Sequence, residues 1–453
     1  MGARQRNPEP DDDPGDPGTR VQDPILRSIR PGRDTEPALK QLLKGSYHPS
    51  RQADTGDPPA GRMTIEEARR RGPVGWLQLL GPGLITGASD DDPSGIGTYS
   101  QVGSQFGYGF LWTAPFTLPL TAAVQELCAR IALHTGVGLG VALRRKFPRP
   151  LVGACIAALF LANTVNAGAD LGAIAAGGSL LTRGALHQLW FVVPAAILIL
   201  TLQVFMTYAL IFKVFKWLTV ALFAYVITGF LVHPDLRQVA AASLVPHLEL
   251  TRDSIAALVA ILGTTISPYL FFWQASSEVD DMRAAGKVKE VARRGVRQPE
   301  LRAARADILV GMLFSNLVMF FIILTTGAVL HANGRTDIQT ANQAAQALAP
   351  LAGQWAFVLF AVGIIFYAIM ALATVAAVAL NLIGIDPIRA LFVTAIINGL
   401  VAPPLLVLIV LLGTDRGIMG KRTSGWVSRS LTWTATAVMS VAAVALLTTL
   451  IRR

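Results

Sequence analysis

The chain has 453 residues, of which 52% are hydrophobic and only 15% are charged. Soluble proteins carry about 25% charged residues, so this composition excludes a soluble multidomain enzyme and a disordered regulator. The apolar residues come in continuous runs rather than in alternation, which excludes a transmembrane β-barrel. The net charge of +10 is typical of basic residues that flank membrane helices, and no nucleic-acid partner is expected.

The first part of the chain, residues 1–75, differs from everything that follows. It is rich in Pro, Asp, Arg and Gly and has few large apolar residues, so it buries too little surface to order itself. We expect a disordered cytoplasmic tail without a secretory signal peptide. Thr64 and Glu67 have the spacing of a capping box, and the sequence predicts a short helix near 63–71.

The rest of the chain is a series of apolar runs, and a membrane span needs about 20 such residues. We predict about ten spans, near 76–101, 110–133, 151–180, 190–212, 214–233, 255–277, 306–331, 355–382, 389–413 and 430–450. The first five-span repeat then occupies 76–233, the second occupies 255–413 with a shortened part at 355–382, and 430–450 is the last span.

The distribution of Lys and Arg predicts the orientation. With the tail inside, the inner loops after the second, fourth and sixth spans hold most of the loop arginines and lysines. This indicates a multi-pass protein of the cell (inner or plasma) membrane with a cytoplasmic N-terminus. Ten strict crossings would nevertheless put the basic loop 414–429 outside, so either 355–382 does not cross once or the chain is unusual there.

Two spans contain residues that break a membrane helix. The first carries Asp90–Gly95 in mid-span, where three carboxylates are costly and where Pro and Gly interrupt the hydrogen-bond ladder. The sixth carries Thr264–Tyr269, with a proline after small polar residues. The residues expected at the two breaks are Pro93, Ser94, Gly95 and Pro268.

Broken helices at matching places in two halves are typical of an inverted-repeat transporter, in which the substrate binds at the midplane. The alternative for the acidic segment is a solvated loop, and the alternative for the sixth span is a proline kink.

The chemistry of these segments favours a cation. A mid-membrane carboxylate with carbonyls and hydroxyls nearby is a hard oxygen site. The six histidines lie in the tail, in loops or at span ends, and no methionine falls in the sixth span, which argues against a dedicated copper or zinc carrier. Cys128 and Cys155 belong to no zinc or iron–sulfur motif, and no cofactor is expected.

At these residues the sequence resembles the NRAMP family of divalent-metal transporters. The resemblance covers roughly residues 75–450 and rests on Gly81–Gly83, Asp92–Gly95, the segment 103–112 and Thr414–Gly420. It implies an all-α integral membrane protein with a LeuT-like inverted-repeat fold, discontinuous first and sixth spans, and eleven spans in the family against about ten here. It also implies that a divalent metal ion is the substrate.

The resemblance further implies roles for single residues. Asp92 corresponds to the metal-binding aspartate and Thr264 to the carbonyl donor of the sixth span. Gly95 replaces a binding asparagine, Ser267 replaces a methionine, and Tyr269 replaces a histidine linked to proton movement. The predicted metal-site residues are Asp92, Thr264, Ser267, Asp91 and Asp90. Candidates for an ion relay or pore lining are Asp170, Tyr269 and Asn398, with hydrogen bonds between helices as the alternative for Asp170 and Asn398.

The departures from the family pattern change the expected metal preference and proton coupling. Loss of the thioether removes the preference for softer metals, and loss of the histidine and of a second acid, at Ala173, weakens a proton relay. The pattern is similar to the NRAMP-related branch that carries magnesium and manganese. We therefore predict transport of Mn²⁺ or Mg²⁺ with weak or no proton coupling.

Two other functions stay open. A non-transporting metal-binding protein or degenerate paralogue is favoured by 355–382, which has 28 residues where the family has its eighth and ninth spans, too few to cross twice as helices. An ion-coupled carrier of a small organic solute would share the architecture, but the acidic trio disfavours it. An enzyme is not expected, because no nucleophile–base constellation and no phosphate-cradling motif is present. The expected partners are the metal ion and the lipid bilayer, and the chain is expected to be a monomer.

Overall fold

The computed structural model describes residues 63–72, 75, 79–182, 185–205, 222–338, 341–345 and 387–451. Within these ranges the secondary structure is helical and no β-strand occurs. The expected all-α architecture is confirmed. The predicted span 355–382, the tail before residue 63, and parts of the spans 190–212 and 214–233 lie outside the described residues.

The helices are named here in chain order. They are α1 (Ile65–Arg70), α2 (Pro82–Asp90), α3 (Pro93–Phe106), α4 (Thr113–Thr135), α5 (Leu139–Lys146), α6 (Arg149–Leu181), α7 (Leu189–Phe205), α8 (Leu222–Leu231), α9 (Leu236–Leu244), α10 (Arg252–Thr265), α11 (Pro268–Ala284), α12 (Glu290–Arg293), α13 (Gln298–Val329), α14 (Ala341–Ala345), α15 (Pro387–Gly413), α16 (Arg416–Met419) and α17 (Trp426–Ile451).

Several of these helices are long and apolar enough to cross a membrane. Among the described residues there are six such segments, with α10 and α11 together counted as one. The broken pair α2–α3 and the shorter apolar helices α7 and α8 also fall on predicted spans. The short helix α1 has the capping box that the sequence predicts, because Thr64 and Glu67 each accept a hydrogen bond from the other's backbone N–H.

The first span is interrupted where the acidic run meets a proline. α2 ends at Asp90, and α3 begins at Pro93. Asp92 is the N-cap of α3, with an extended backbone (φ −67°, ψ 174°), and its carboxylate accepts a hydrogen bond from the Gly95 N–H. Proline is favoured at the first helical position because its missing N–H has no partner there. The break therefore follows from local chemistry.

The sixth span is interrupted in the same way. α10 ends at Thr265, Ile266 leaves helical geometry (φ −109°, ψ 54°), and Pro268 opens α11 after an extended Ser267. Each broken span thus has an X-Pro pair at the start of its second half. The predicted discontinuous first and sixth spans are confirmed.

The first half of each broken span packs backbone to backbone against another helix. A Cβ on Gly87 of α2 would lie 2.1 Å from the Gly311 carbonyl oxygen of α13, and a Cβ on Gly311 would lie 2.1 Å from that of Gly83. In the sixth span, a Cβ on Gly263 would lie 2.1 Å from the carbonyl oxygen of Ala395 in α15. These close approaches hold α2 against α13 and α10 against α15.

Apolar clusters next to the breaks form the core. One includes Ile96 and Tyr99 of α3, and another includes Ile266 and Phe271 at the sixth-span break. All four side chains are buried. The two breaks are therefore held in the packed interior of the bundle.

Loops that are far apart in sequence meet at one face of the bundle. Lys146 Nζ lies 2.7 Å from Asp415 Oδ2, and the Arg145 guanidinium lies 3.0 Å from Glu290 Oε1. We call this the basic face. The loops that form it are 136–149, 285–297 and 414–425.

The position of the last of these loops bears on the conflict between span count and charge. Ten strict crossings would place loop 414–429 on the face opposite the other basic loops, whereas Asp415 of this loop lies beside Lys146. α13 starts beside the basic face, where Lys287 Nζ lies 3.8 Å from Glu300 Oε1. α15 ends at the same face, where Lys146 Nζ donates a hydrogen bond to the Leu411 carbonyl. The charge distribution predicted the side of this loop better than the count of spans did.

Candidate metal-binding site

Asp92 lies between the two halves of the first span with its carboxylate almost fully buried. One oxygen, Oδ1, accepts hydrogen bonds from the Gly95 N–H at 2.9 Å and from Ser94 Oγ at 2.6 Å. These bonds fix the carboxylate at the start of α3. The other oxygen, Oδ2, is left to face away from its own helix.

The sixth span supplies the partner of that second oxygen. Tyr269, one residue into α11, places its hydroxyl 3.0 Å from Asp92 Oδ2 and 3.1 Å from the Ser89 carbonyl oxygen. The Ser89 carbonyl is one of those that the end of α2 leaves without a helical partner. One phenol therefore joins the sixth-span break to both sides of the first-span break.

The two breaks also touch at Gly95 and Thr264. A Cβ on Gly95 would lie 3.4 Å from Thr264 Cγ2 and 3.0 Å from the Asp90 carbonyl oxygen. A larger side chain at residue 95 would require its neighbours to move. This crowding explains why a glycine fits at this position. Gly95 and Thr264 are thus neighbours across the two breaks.

Several oxygen atoms around the sixth-span break are buried and unpaired. Thr264 Oγ1 and Ser267 Oγ have no hydrogen-bond partner within the described part of the chain. The backbone carbonyl oxygen of Thr265, by contrast, accepts a hydrogen bond from Thr121 Oγ1 at 3.1 Å. Buried polar atoms normally have partners, so unpaired hydroxyls next to a carboxylate are candidates for holding a cation.

The other two aspartates of the acidic run have different surroundings from Asp92. Asp90 is buried and accepts a hydrogen bond from Ser315 Oγ of α13. Asp91 is also buried, and neither of its carboxylate oxygens has a hydrogen-bond partner among the residues described. Among the described residues, Asp92 is the member of the trio that is hydrogen-bonded to the sixth span.

Asp170 approaches the same region from α6. It accepts a hydrogen bond from Asn166 Nδ2 at 2.9 Å, and its other oxygen is unpaired within the described residues. The helix that carries it, α6, packs against α3, which begins beside Asp92. Asn398 of α15 is buried with an unpaired Oδ1, and no hydrogen bond joins it to Asp92 among the described residues.

The donor set that results is one of oxygen. Among the described residues, no group of three or more His, Cys, Asp or Glu side chains is placed to hold a metal ion together. A cation at the breaks would be bound by one carboxylate, by hydroxyls and by freed carbonyls, with water completing its shell. Ligands of this kind suit Mg²⁺ and Mn²⁺.

Two residues that organise the site were missed by reasoning from the sequence. Asp307 of α13 accepts hydrogen bonds from the N–H groups of Gly81 and Gly83, both at 2.8 Å, and of Leu84 at 3.0 Å. It caps α2 from another helix. Ser315, eight residues later on the same face of α13, bonds to Asp90. A lone aspartate near the start of an apolar span was the available signal.

Comparison with known proteins identifies the family. The sequence model of the Nramp family, described as natural resistance-associated macrophage protein-like, matches residues 83–379 and 364–449. This chain belongs to the Nramp family. The resemblance inferred from the two broken spans is confirmed.

Curated relatives of this Nramp-family chain carry the name divalent metal cation transporter MntH. The one from Pectobacterium carotovorum subsp. carotovorum is 26% identical over 306 residues, which cover 67% of this chain and 71% of the relative. The one from Chromohalobacter salexigens is 30% identical over 288 residues, covering 62% and 63%. The one from Deinococcus radiodurans is 29% identical over 331 residues, covering 71% and 73%.

A solved structure shares the fold. The crystal structure of the Eremococcus coleocola manganese transporter, in complex with an aromatic bis-isothiourea substituted compound, matches with a TM-score of 0.58 at 17% identity. The match covers 82% of this chain and 87% of that one. The Nramp-family chain therefore has the inverted-repeat transporter fold that its broken spans predict.

Proposed function

We propose that this chain transports divalent metal cations across a membrane, with Mn²⁺ or Mg²⁺ as the ion and with weak or no coupling to protons. The observation that carries the proposal is the position of Asp92. One carboxylate oxygen is fixed by its own helix start, while the other faces the sixth-span break. The relatives named divalent metal cation transporter MntH support the class of substrate.

The ion is proposed from the donors. Asp92 supplies a charged oxygen, and Thr264 and Ser267 supply buried hydroxyls that are unpaired in the described structure. The segment Thr264–Tyr269 contributes no thioether or imidazole of its own, and the sulfur of nearby Met319 accepts a hydrogen bond from Thr265 Oγ1 at 3.5 Å. Softer ions such as Cu⁺ would therefore gain little here, whereas hard ions bind oxygen ligands well.

The weak coupling is proposed from Tyr269. The residue that contacts Asp92 from the sixth span is a phenol, and a phenol does not exchange protons near neutral pH as an imidazole does. Asp170 remains the proposed relay or pore-lining group because it is a buried carboxylate on α6, which packs against α3. The proposed location is the cell membrane, with the basic face in the cytoplasm.

The decisive experiment compares two aspartate variants in proteoliposomes that contain a pH-sensitive dye. We expect the wild type to take up Mn²⁺ and Mg²⁺, and Asp92→Asn to take up neither, because the substitution keeps the size and removes the charge. The matched control is Asp253→Asn, at an exposed position in the first turn of α10, which should transport normally.

The non-transporting alternative is distinguished by the same measurement. Unchanged uptake by Asp92→Asn would contradict the site, and acidification equal to the metal flux would contradict weak coupling. A folded wild type that binds Mn²⁺ without any flux would instead establish the non-transporting alternative.

A further inference from the structure

A groove on the outside of the bundle lies away from the proposed metal site. It is bounded by α4, α13 and α17 and has a volume of about 500 Å³. Its walls are apolar and are formed mainly by Ala122, Ala123, Ile308, Leu309 and Leu431. Because these helices are long and apolar enough to span a membrane, the walls lie where lipid chains would contact the protein.

One end of the groove is polar and carries excess positive charge. Glu126 of α4 accepts hydrogen bonds from Arg305 Nε of α13 at 2.9 Å, from Arg130 Nε at 3.1 Å, and from Ser428 Oγ of α17 at 2.9 Å. A single carboxylate thus neutralises one of two guanidinium groups. The remaining charge is positive and lies at the mouth of the groove.

Arg305 is the positively charged residue at this end of the groove that a ligand can contact. Its side chain is 51% exposed, and Glu126 engages its Nε. Its two Nη atoms have no hydrogen-bond partner within the described ranges of the chain. A guanidinium with free Nη groups presents a planar pair of donors that matches a phosphate.

The same end of the groove has the features of a membrane interface. Trp426, which lines the groove at the start of α17, is 73% exposed. Tryptophan is enriched at the level of lipid headgroups. The basic loop 414–425 continues directly into this helix and includes Lys421 and Arg422. The charged end therefore lies at headgroup depth, and the apolar walls extend into the hydrocarbon.

We propose that this groove binds an anionic phospholipid, with the phosphate on Arg305 and an acyl chain along the apolar walls. Charge and shape together select this occupant. A zwitterionic lipid would leave the excess charge of Arg305 unmatched. A soluble anion such as inorganic phosphate would use the guanidinium and leave the apolar walls without a partner.

The test measures thermal stability of the full-length protein in detergent. Phosphatidylglycerol, phosphatidylcholine with identical acyl chains, and inorganic phosphate are added separately. We expect phosphatidylglycerol to raise the melting temperature by several degrees more than either of the others. Arg305→Gln should abolish the difference between the two lipids. The matched control, Arg302→Gln, changes an exposed arginine of α13 outside the groove and should keep the difference.

A second variant keeps the test valid if Arg305→Gln folds poorly. Ala122→Phe fills the groove and leaves Arg305 in place, so it should remove the extra stabilisation by phosphatidylglycerol. Equal stabilisation of the wild type by both lipids would overturn the proposal, as would equal loss in Arg305→Gln and Arg302→Gln. Full stabilisation by inorganic phosphate would show that only an anion binds.

Discussion

The two carboxylate oxygens of Asp92 have different hydrogen-bond partners, so one can fix the side chain while the other is available to a cation. Oδ1 completes the start of α3 by accepting from Gly95 and Ser94, so the side chain does not rotate freely. Oδ2 accepts from Tyr269 of the sixth span. A cation that binds Oδ2 must therefore share this oxygen with the phenol or replace it.

Removal of the Tyr269 hydroxyl should show which of these occurs. We expect Tyr269→Phe to lower the KM for Mn²⁺ by roughly two- to tenfold, because a hydrogen bond of about 0.5–1.5 kcal/mol no longer competes with the ion. The measurement is initial uptake into proteoliposomes at varied Mn²⁺.

A second buried tyrosine serves as the control for this variant. The hydroxyl of Tyr225 on α8 has no hydrogen-bond partner within the described residues, so Tyr225→Phe should leave the KM unchanged. A rise in the KM of Tyr269→Phe would mean that the phenol oxygen binds the ion instead of competing with it.

At the level of elements, one face of α13 holds the first half of the broken first span. Asp307, Gly311 and Ser315 are spaced four residues apart, so they lie on the same side of the helix. Asp307 accepts from the N–H groups at the start of α2, Gly311 permits backbone contact along it, and Ser315 bonds to Asp90 at its end. This face therefore contacts α2 from its start to its last residue.

A methyl group placed in that contact should be costly. We expect Gly87→Ala to destabilise the protein by about 1–3 kcal/mol, because the added Cβ would lie 2.1 Å from the Gly311 carbonyl oxygen and the helices must separate. The measurement is the melting temperature in detergent, which should fall by several degrees.

A glycine on an open surface provides the comparison. Gly153 of α6 is exposed, and a Cβ there would meet nothing within 4 Å. Gly153→Ala should be neutral or stabilising by up to about 1 kcal/mol, since alanine favours the helix. Similar melting temperatures for the two variants would show that the close approach of α2 to α13 does not limit stability.

At the level of the whole molecule, ion pairs between remote loops bring the basic segments to one face. The Lys146 ammonium holds the pKa of Asp415 below its ordinary value, with a further contribution from the Gly417 N–H. A carboxyl whose pKa is lowered on folding stabilises the folded state above its unfolded pKa and loses this contribution as the pH falls through the folded pKa. This contact between α5 and loop 414–425 should therefore weaken only in acid.

Labelling from one side of the membrane tests whether the three loops of the basic face lie on the same side. Cysteines are introduced singly by Arg144→Cys, Val288→Cys and Lys421→Cys, all at exposed positions, in a chain that carries Cys155→Ala. In intact cells, a membrane-impermeant maleimide should leave all three unlabelled if the basic face is cytoplasmic, and lysis should expose all three together.

Residue 335, after α13, should behave in the opposite way. Arg335→Cys is exposed at the other end of that helix and should be labelled in intact cells. If Lys421→Cys were labelled in intact cells as Arg335→Cys is, while Arg144→Cys and Val288→Cys were not, loop 414–425 would not belong to the basic face.

The sequence by itself determined that this is an all-helical membrane protein and where two of its spans break. Apolar runs and their flanking charges act over a single span, and the breaks at Pro93 and Pro268 arise because proline lacks an N–H and so starts a new helix. The family also followed, because residues that resemble it lie at the first break and in the segments 81–83, 103–112 and 414–420.

Only the tertiary structure decided how the polar residues are shared among helices. Asp90 and Asp92 are two positions apart, yet one bonds to Ser315 and the other to Tyr269. The direction of a side chain at a helix end depends on the helices packed against it, and these come from residues more than 170 positions away. Such contacts leave no periodic or local signal in the sequence. For the same reason, the conflict between span count and loop charge at 414–425 was resolved only by the ion pair with Lys146.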